Sequence, residues 1–221
     1  MPVEELAKLK DYVNEVNNEF AAILGINPAA ASTAIKPEGT VSQLTESGSG
    51  IHAWFSEYFI RRVRMSHKDP LTQLLIDQGV PNEVDVMNPR SIVFSFPQKA
   101  PEGAVIAGQQ TAIEQLENWL VLSKGYTEHN PSVTIYVKDH EWPEVGAWVY
   151  NNFDYIVGVS FLPYSEHNYK QAPYEAISKE KYEELLKQLP VVDFSKLSLY
   201  EIEDETTGSQ TLACVAGGCE I

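Results

Sequence analysis

The sequence has few cysteines and no excess of basic residues. Only two of its 221 residues are cysteine, Cys214 and Cys219, and both lie among the last eight. So small a number in a chain of this length excludes a disulfide-stabilised scaffold. The formal net charge is −15, with 16 Lys and Arg against 31 Asp and Glu. This balance excludes a general nucleic-acid-binding surface, which requires clustered cations.

Long apolar runs are also lacking. No stretch reaches the length that a membrane-spanning helix requires, so we expect no membrane partner. The first residues, MPVEELAKLKDYVNEVNNEF, carry acidic side chains where a secretory signal would be basic and then apolar. We therefore expect a soluble, cytoplasmic protein. The hydrophobic fraction of 43% is sufficient for a packed core.

Helix and strand patterns alternate through most of the chain, which predicts an α/β architecture. Apolar residues recur at three- and four-residue steps from Val3 to Leu24, and Gly25 is a typical helix stop. Asp69 and Pro70 are typical of the start of a second helix. Further helices are predicted over residues 109–125, 141–153 and 178–189, and strands over residues 29–36, 58–64, 91–96, 131–137 and 155–163.

Two clusters within these elements have ordinary structural interpretations. Arg62 and Arg64 of the RRVR run share one face of the predicted strand, and Arg61 faces the other side. This pattern indicates a solvated edge rather than a phosphate site. A group of aromatic residues is most simply explained as core packing: Trp142, Trp148, Tyr150, Phe153 and Tyr155.

The two cysteines follow a segment that lacks the apolar side chains needed for packing. Residues 201–221 begin with an acidic run followed by Thr, Gly, Ser and Gln, which predicts a flexible tether. Gly217 and Gly218 allow the tight turn that brings Cys214 and Cys219 together, so a redox dithiol is one hypothesis. A chance pair, a structural disulfide and half of a zinc site are the alternatives; no third cysteine is present, so we expect no metal site.

A second unusual stretch combines glycine and hydroxyl residues after a predicted strand. Residues 36–42 read KPEGTVS, and the hydroxyls of Thr40 and Ser42 would lie beside backbone N–H groups that a helix start leaves free. Such an arrangement suits a phosphate group. The spacing fits neither the P-loop nor the Rossmann fingerprint. An ordinary capped helix after a loop is the alternative.

Several motifs occur together and in order: GINPAAASTAIKPEGTVSQLTESGSGIH, YFIRRVR, EHNPSVTIYV, VSFLPYSEHNYKQAPYE and the terminal CVAGGCEI. In this combination the chain resembles the C-terminal part of adenosylcobalamin-dependent (class II) ribonucleotide reductases, and most of all the monomeric ribonucleoside-triphosphate reductases. The resemblance implies the C-terminal part of a ten-stranded α/β barrel over residues 1–200, followed by a flexible redox tail over residues 201–221.

The resemblance also implies the functional residues. Cys214 and Cys219 match the shuttle dithiol that re-reduces the active site and is itself reduced by thioredoxin or a similar donor. The loop that holds the ribonucleotide substrate's phosphates is matched by Pro37, Glu38, Gly39, Thr40, Val41 and Ser42. No cysteine precedes Cys214. The family's N-x-C-x-E loop with the radical cysteine is therefore expected on an N-terminal partner, which would also bind most of the adenosylcobalamin.

The function implied by this resemblance is the reduction of ribonucleoside triphosphates to 2′-deoxyribonucleoside triphosphates by thiyl-radical chemistry. The chain would be a split subunit or fragment that is active only with its N-terminal partner. The alternative is a non-catalytic nucleotide-binding or regulatory module that kept the fold and lost turnover. The intact Cys-x-x-x-x-Cys tail favours the first hypothesis, because a module without turnover has no use for a shuttle dithiol.

Overall fold

The structure, a computed structural model, describes residues 2–164 and 169–201. These residues fall into two compact units, which are described separately below. The first unit comprises residues 2–57 with 100–164, and the second comprises residues 58–99 with 169–201. No helix in these ranges has both the length and the hydropathy needed to cross a bilayer. The predicted division into a barrel part and a tail from residue 201 onward stays a prediction.

Helices and strands alternate, as the sequence predicts. The α-helices are α1 (Val3–Leu24), α2 (Val41–Leu44), α3 (Pro70–Asp77), α4 (Ala112–Gly125), α5 (Trp142–Asn151) and α6 (Lys179–Gln188). The strands are β1 (Tyr58–Ser66), β2 (Asn82–Val84), β3 (Ser91–Lys99), β4 (Thr134–Val137), β5 (Ser160–Pro163) and β6 (Tyr174–Ala176).

Local capping chemistry explains where the helices begin and end. Gly25 ends α1 in the left-handed conformation at φ 67°, which glycine adopts without a steric penalty. The Asp69 carboxylate accepts the N–H of Leu71 at the start of α3. Thr111 starts α4 with a complete capping box, in which its hydroxyl and the Glu114 carboxylate satisfy each other's backbone N–H groups.

The second unit is built on an antiparallel four-stranded sheet in the order β2-β3-β1-β6. The long strands β1 and β3 pair in register along nine residues, from Tyr58 opposite Lys99 to Ser66 opposite Ser91. Apolar side chains of α3, of the segment that follows α3 and of β3 form the core beneath this sheet: Leu75, Val80, Ile92 and Phe94 are all buried. Ile92, Val93 and Phe94 are consecutive and all buried, so both faces of β3 are covered along this stretch.

The interpretation of the arginine run as a solvated edge was wrong. β1 is an inner strand, and Arg62 and Arg64 both hold the segment that leads into β6. Arg62 pairs with Glu175 and donates to the carbonyl of Ala172 at 3.0 Å, while Arg64 donates to the carbonyl of Gln171 at 2.7 Å. The shared face was predicted correctly, but it meets carboxylates of Glu175 and Asp85 and backbone carbonyls rather than solvent.

The first unit has a separate apolar core between α4, α5 and the parallel pair β4–β5. Trp119 and Leu116 of α4 are fully buried against Ile135 and Val137 of β4. The indole N–H of Trp119 donates to the carbonyl of Pro131 at 3.0 Å, so this large side chain leaves no unpaired donor in the core.

The predicted strand over residues 29–36 is absent from this structure. A strand exists only when a neighbouring strand takes up its backbone hydrogen bonds, and no described residue does so here along a ladder. Instead the Glu128 carboxylate accepts the N–H groups of Ser32 and Thr33, and the Thr33 hydroxyl donates to the carbonyl of Tyr126 at 2.6 Å. The segment is thus held in place by a side chain.

The aromatic cluster is also less buried than predicted. Only Trp148 lies in the core, where its indole N–H donates to the Glu117 carboxylate at 2.5 Å. Tyr150 is 84% exposed and Phe153 is 71% exposed. Trp142 and Tyr155 are also exposed. The end of α5 therefore presents aromatic surface that the described residues do not cover.

One close helix contact can be tested. A methyl group on Gly125 of α4 would lie 2.9 Å from Cβ of Leu6 in α1, whereas one on Gly146 of α5 would meet no atom within 4 Å. We expect Gly125→Ala to lower the free energy of unfolding by about 1–3 kcal/mol through overpacking. Gly146→Ala should raise it by about 0.5–1 kcal/mol through helix propensity. Urea denaturation of the full chain measures both, and equal effects would contradict the proposed contact.

Candidate functional site

The candidate phosphate loop lies in the first unit, where extended chain turns into the short helix α2. The Glu38 carboxylate folds forward and accepts the backbone N–H of Val41 at 2.7 Å and that of Ser42. Thr40 precedes the helix and does not cap it with its own side chain. Two consecutive N–H groups therefore point at a single anionic group, as they would point at a bound phosphate.

The charge on Glu38 is stabilised by these bonds. Desolvation alone raises the pKa of the Glu38 carboxyl group, but hydrogen bonds donated by Ser42, Val41 and Thr40 outweigh it. The net result is a pKa below the ordinary value, so Glu38 is ionised at neutral pH. Its carboxylate occupies the N–H groups that the sequence assigned to phosphate, and it would repel a polyanion from the same position.

The other predicted loop residues have distinct environments. The Ser42 side chain is buried and its hydroxyl donates to the carbonyl of Glu38 at 3.2 Å, so this hydroxyl serves the loop itself. A methyl group on Gly39 would meet no atom within 4 Å. Val41 is exposed. Pro37 lies against Gly50, where an added Cβ would be 3.2 Å from the Pro37 nitrogen.

Ser49 closes the loop on itself, and sequence reasoning did not identify it. Its hydroxyl donates to the carbonyl of Glu38 at 2.6 Å and accepts the N–H of Glu38 at 3.0 Å. Gly50 follows at φ 60°, a conformation that favours glycine. The Gly-Ser-Gly run at residues 48–50 was the available signal, because such a run permits a tight turn with a hydroxyl at its centre.

Glu128 fixes the chain that enters the loop. Its carboxylate accepts the N–H groups of Ser32 and Thr33, and these bonds lower the pKa of its carboxyl group. Lys10 of α1 lies 4.0 Å from the same carboxylate. This contact could not be predicted from the sequence, because Glu128 and Thr33 are 95 residues apart.

A cavity of about 420 Å³ lies beside the loop, within the first unit. Its lining includes Glu46, His52, Trp54, Glu102, Gln110 and Asn118. Pockets of about 300–1,000 Å³ suit drug-sized ligands, and adenosylcobalamin, with its corrin ring and nucleotide tail, is larger. The residues lining this cavity therefore do not fit the whole cofactor. Across the described ranges, no group of three His, Cys, Asp or Glu side chains is arranged to hold a metal ion.

The predicted catalytic pair, Cys214 and Cys219, lies outside the described residues. The structure thus describes the six loop residues together, and the predicted dithiol stays a prediction.

No protein-family model matches the sequence. Individual proteins do match. The chain is 33% identical over 175 residues to an adenosylcobalamin-dependent ribonucleoside-triphosphate reductase of Lactobacillus gasseri, covering 77% of this chain and 24% of the relative. It is 30% identical over 227 residues to the protein of the same name from Lactobacillus delbrueckii subsp. bulgaricus, covering 99% of this chain and 30% of the relative.

The fold gives a matching result. A crystal structure of a B12-dependent (class II) ribonucleotide reductase superposes with a TM-score of 0.77 at 26% identity, over 91% of this chain and 29% of the other. The chain spans less than a third of the length of each of these relatives. Sequence and fold agree along nearly the whole chain, and it belongs to the family of adenosylcobalamin-dependent (class II) ribonucleotide reductases.

Proposed function

We propose that this chain supplies the substrate-phosphate loop and the reducing dithiol of a ribonucleoside-triphosphate reductase. The enzyme replaces the 2′ hydroxyl of a ribonucleoside triphosphate by hydrogen, through thiyl-radical chemistry, to give the 2′-deoxyribonucleoside triphosphate. The observation that carries the loop assignment is the convergence of the Val41 and Ser42 N–H groups on one anion, 2.7 Å from Val41. The family relationship supports the reaction.

Backbone dipoles suit this chain better than cations do. With a net charge of −15, the protein repels a triphosphate at long range, whereas oriented N–H groups attract it at short range. Arg62 is not available for this task, because its guanidinium is engaged by Glu175 and Ala172. In the proposed complex the triphosphate displaces the Glu38 carboxylate and takes over the N–H groups of Val41 and Ser42.

The proposed dithiol restores the active site after each turnover. Reduction of the ribose leaves two active-site thiols joined as a disulfide. The thiolate of Cys214 or Cys219 attacks one sulfur of that disulfide, which frees the first active-site thiol and forms a mixed disulfide. The second tail cysteine then attacks the tail sulfur of the mixed disulfide and releases the second active-site thiol. Two electrons and two protons pass to the active site, and the tail is left as a disulfide. Thioredoxin or a similar dithiol reduces the tail again.

The remaining part of the reductase is the proposed partner. The parallel sheet β4–β5 has only two strands among the described residues. Parallel sheets usually have more strands and are covered on both faces. The exposed face of α1 carries Tyr12, Phe20 and Ile23, each more than half exposed. Open strand edges and apolar side chains of this kind favour assembly with further strands and helices. We assign adenosylcobalamin mainly to that partner, since the cavity beside the loop does not fit it.

The dithiol can be tested with the reductase reconstituted from this chain and its partner. We expect Cys214→Ser and Cys219→Ser each to abolish turnover supported by thioredoxin, because one thiol cannot complete the exchange. Turnover supported by dithiothreitol should remain near the wild-type rate, since a small dithiol reaches the active site without the tail. Deoxynucleotide formation under both reductants measures this. Loss of both activities, or of neither, would contradict the shuttle role.

The loop can be tested at Gly39, where the free protein has open space. Gly39→Val should leave the free energy of unfolding nearly unchanged, because an added Cβ meets nothing within 4 Å. It should raise the KM for the ribonucleoside triphosphate about tenfold or more, equivalent to about 1.4 kcal/mol of lost binding. Gly39→Ala is the matched control and should have a smaller effect. An unchanged KM in the valine variant would contradict the loop assignment.

Glu38 competes with the substrate in this proposal. Glu38→Gln keeps an acceptor for the loop N–H groups but removes a negative charge that lies where a phosphate should bind. We expect the KM for the triphosphate to fall about two- to fivefold, because the variant removes a screened negative charge near the surface. The effect should shrink as salt is added. A higher KM in this variant would indicate that the carboxylate assists binding instead.

A further inference from the structure

His52 connects the turn after the candidate loop to strand β4, and the proposed reaction assigns it no role. It lies in the first unit, three residues after Ser49, and borders the cavity beside the loop. Its Nδ1 lies 3.0 Å from the carbonyl oxygen of Ser49, and its Nε2 lies 3.3 Å from the backbone nitrogen of Thr134 at the start of β4. One imidazole thus contacts two segments that are 85 residues apart in the sequence.

These two contacts define the tautomer. The Thr134 backbone N–H is only a donor, so Nε2 must be the unprotonated nitrogen that accepts it. The Ser49 carbonyl is only an acceptor, so Nδ1 must carry the hydrogen. Both ring nitrogens are thus used in this arrangement, Nδ1 as the donor and Nε2 as the acceptor. An imidazolium ring would lose the bond to Thr134, since both of its nitrogens are donors.

The Ser49 end of this link leads directly to the phosphate loop. The Ser49 hydroxyl exchanges two hydrogen bonds with the backbone of Glu38, at 2.6 and 3.0 Å. The backbone N–H of His52 also donates to the Ser49 carbonyl at 3.1 Å, which fixes the turn between them. Gly50, within that turn, touches Pro37. Hydrogen bonds and packing therefore join the turn to the loop.

The Thr134 end leads to the apolar core of the unit. Ile135 and Val137, the next inward-facing residues of β4, are fully buried in the core. Ile51 also packs against this core, but an apolar contact does not constrain the orientation of the turn. The hydrogen bonds of His52 do constrain that orientation, because both partners are backbone groups with fixed directions. Its imidazole is thus suited to fix the register of the turn against β4.

We propose that His52 is a positioning residue, whose Nδ1–H imidazole ties the phosphate loop to β4 and so aligns the N–H groups of Val41 and Ser42. The proposal rests on the proposed function of that loop. It predicts that both ring nitrogens are needed, because a side chain bonded to only one of the two segments cannot hold the loop in place against β4. A histidine that merely fills space would tolerate any side chain of similar size.

Two substitutions separate these possibilities in the full-length chain. His52→Gln keeps an acceptor within reach of Thr134 but no donor toward Ser49, and His52→Asn keeps a donor toward Ser49 but does not reach Thr134. His140, which is exposed, provides the matched controls His140→Gln and His140→Asn. Long-range ¹H–¹⁵N spectra identify the imidazole tautomer, and backbone amide spectra follow Glu38, Val41 and Ser42 during titration with inorganic tripolyphosphate.

We expect the Nδ1–H tautomer in the wild-type chain and shifted Glu38 and Ser42 amide signals in both His52 variants before any ligand is added. Both variants should bind tripolyphosphate about three- to tenfold more weakly, the loss of one to two ordinary hydrogen bonds. In the reconstituted reductase the same change should appear in KM rather than kcat. The His140 variants should match the wild type in every measurement.

Two results would overturn the proposal: an Nε2–H tautomer, or wild-type amide signals and affinity in His52→Gln. A different result bears on the loop itself. If the wild-type chain has the expected tautomer and the variants shift the loop amides, but tripolyphosphate moves neither Val41 nor Ser42, then the link is upheld and the phosphate role is wrong.

Discussion

The carboxylate of Glu38 on the N–H groups of Val41 and Ser42 is the interaction on which the candidate site depends. Without an anion there, two adjacent backbone donors at the start of α2 would lack a protein partner. The loop supplies its own anion, and the cost of desolvating that carboxylate is outweighed by the bonds it receives, as its lowered pKa indicates. The free protein thus holds the donors in a conformation suited to an anion.

Under the proposed function, this arrangement reconciles a strongly acidic chain with an anionic substrate. A cationic site would be partly neutralised by 31 acidic side chains, and the distance over which it attracts an anion would depend on the salt concentration. Backbone dipoles act only within the first contact distance and carry no net charge, so the surrounding acidity changes them little. The orientation of the loop N–H groups then depends on the contacts that fix the loop backbone. Ser49 bonds to the loop itself, and Glu128 bonds to the chain that enters it.

Local features were predictable from the sequence, and features that need distant partners were not. The α1 stop at Gly25 and the α3 cap at Asp69 depend on residues within one turn, and both were found. The strand predicted over residues 29–36 failed because a strand requires a neighbour, whereas here Glu128 takes its N–H groups. Arg62 was misjudged for the same reason, since its partner Glu175 lies 113 residues away.

The candidate site also has a part that was predictable from the sequence and a part that was not. Residues 37–42 were identified as one loop because they are adjacent and carry glycine and hydroxyl groups. The part played by the Glu38 side chain was not foreseen, because sequence patterns assign N–H groups to a ligand without asking which side chain competes for them. In the free protein the Glu38 carboxylate satisfies both donors. Under the proposed function, a loop that must release its own carboxylate before it binds phosphate discriminates by charge: a triphosphate can outcompete one carboxylate, and a neutral nucleoside cannot.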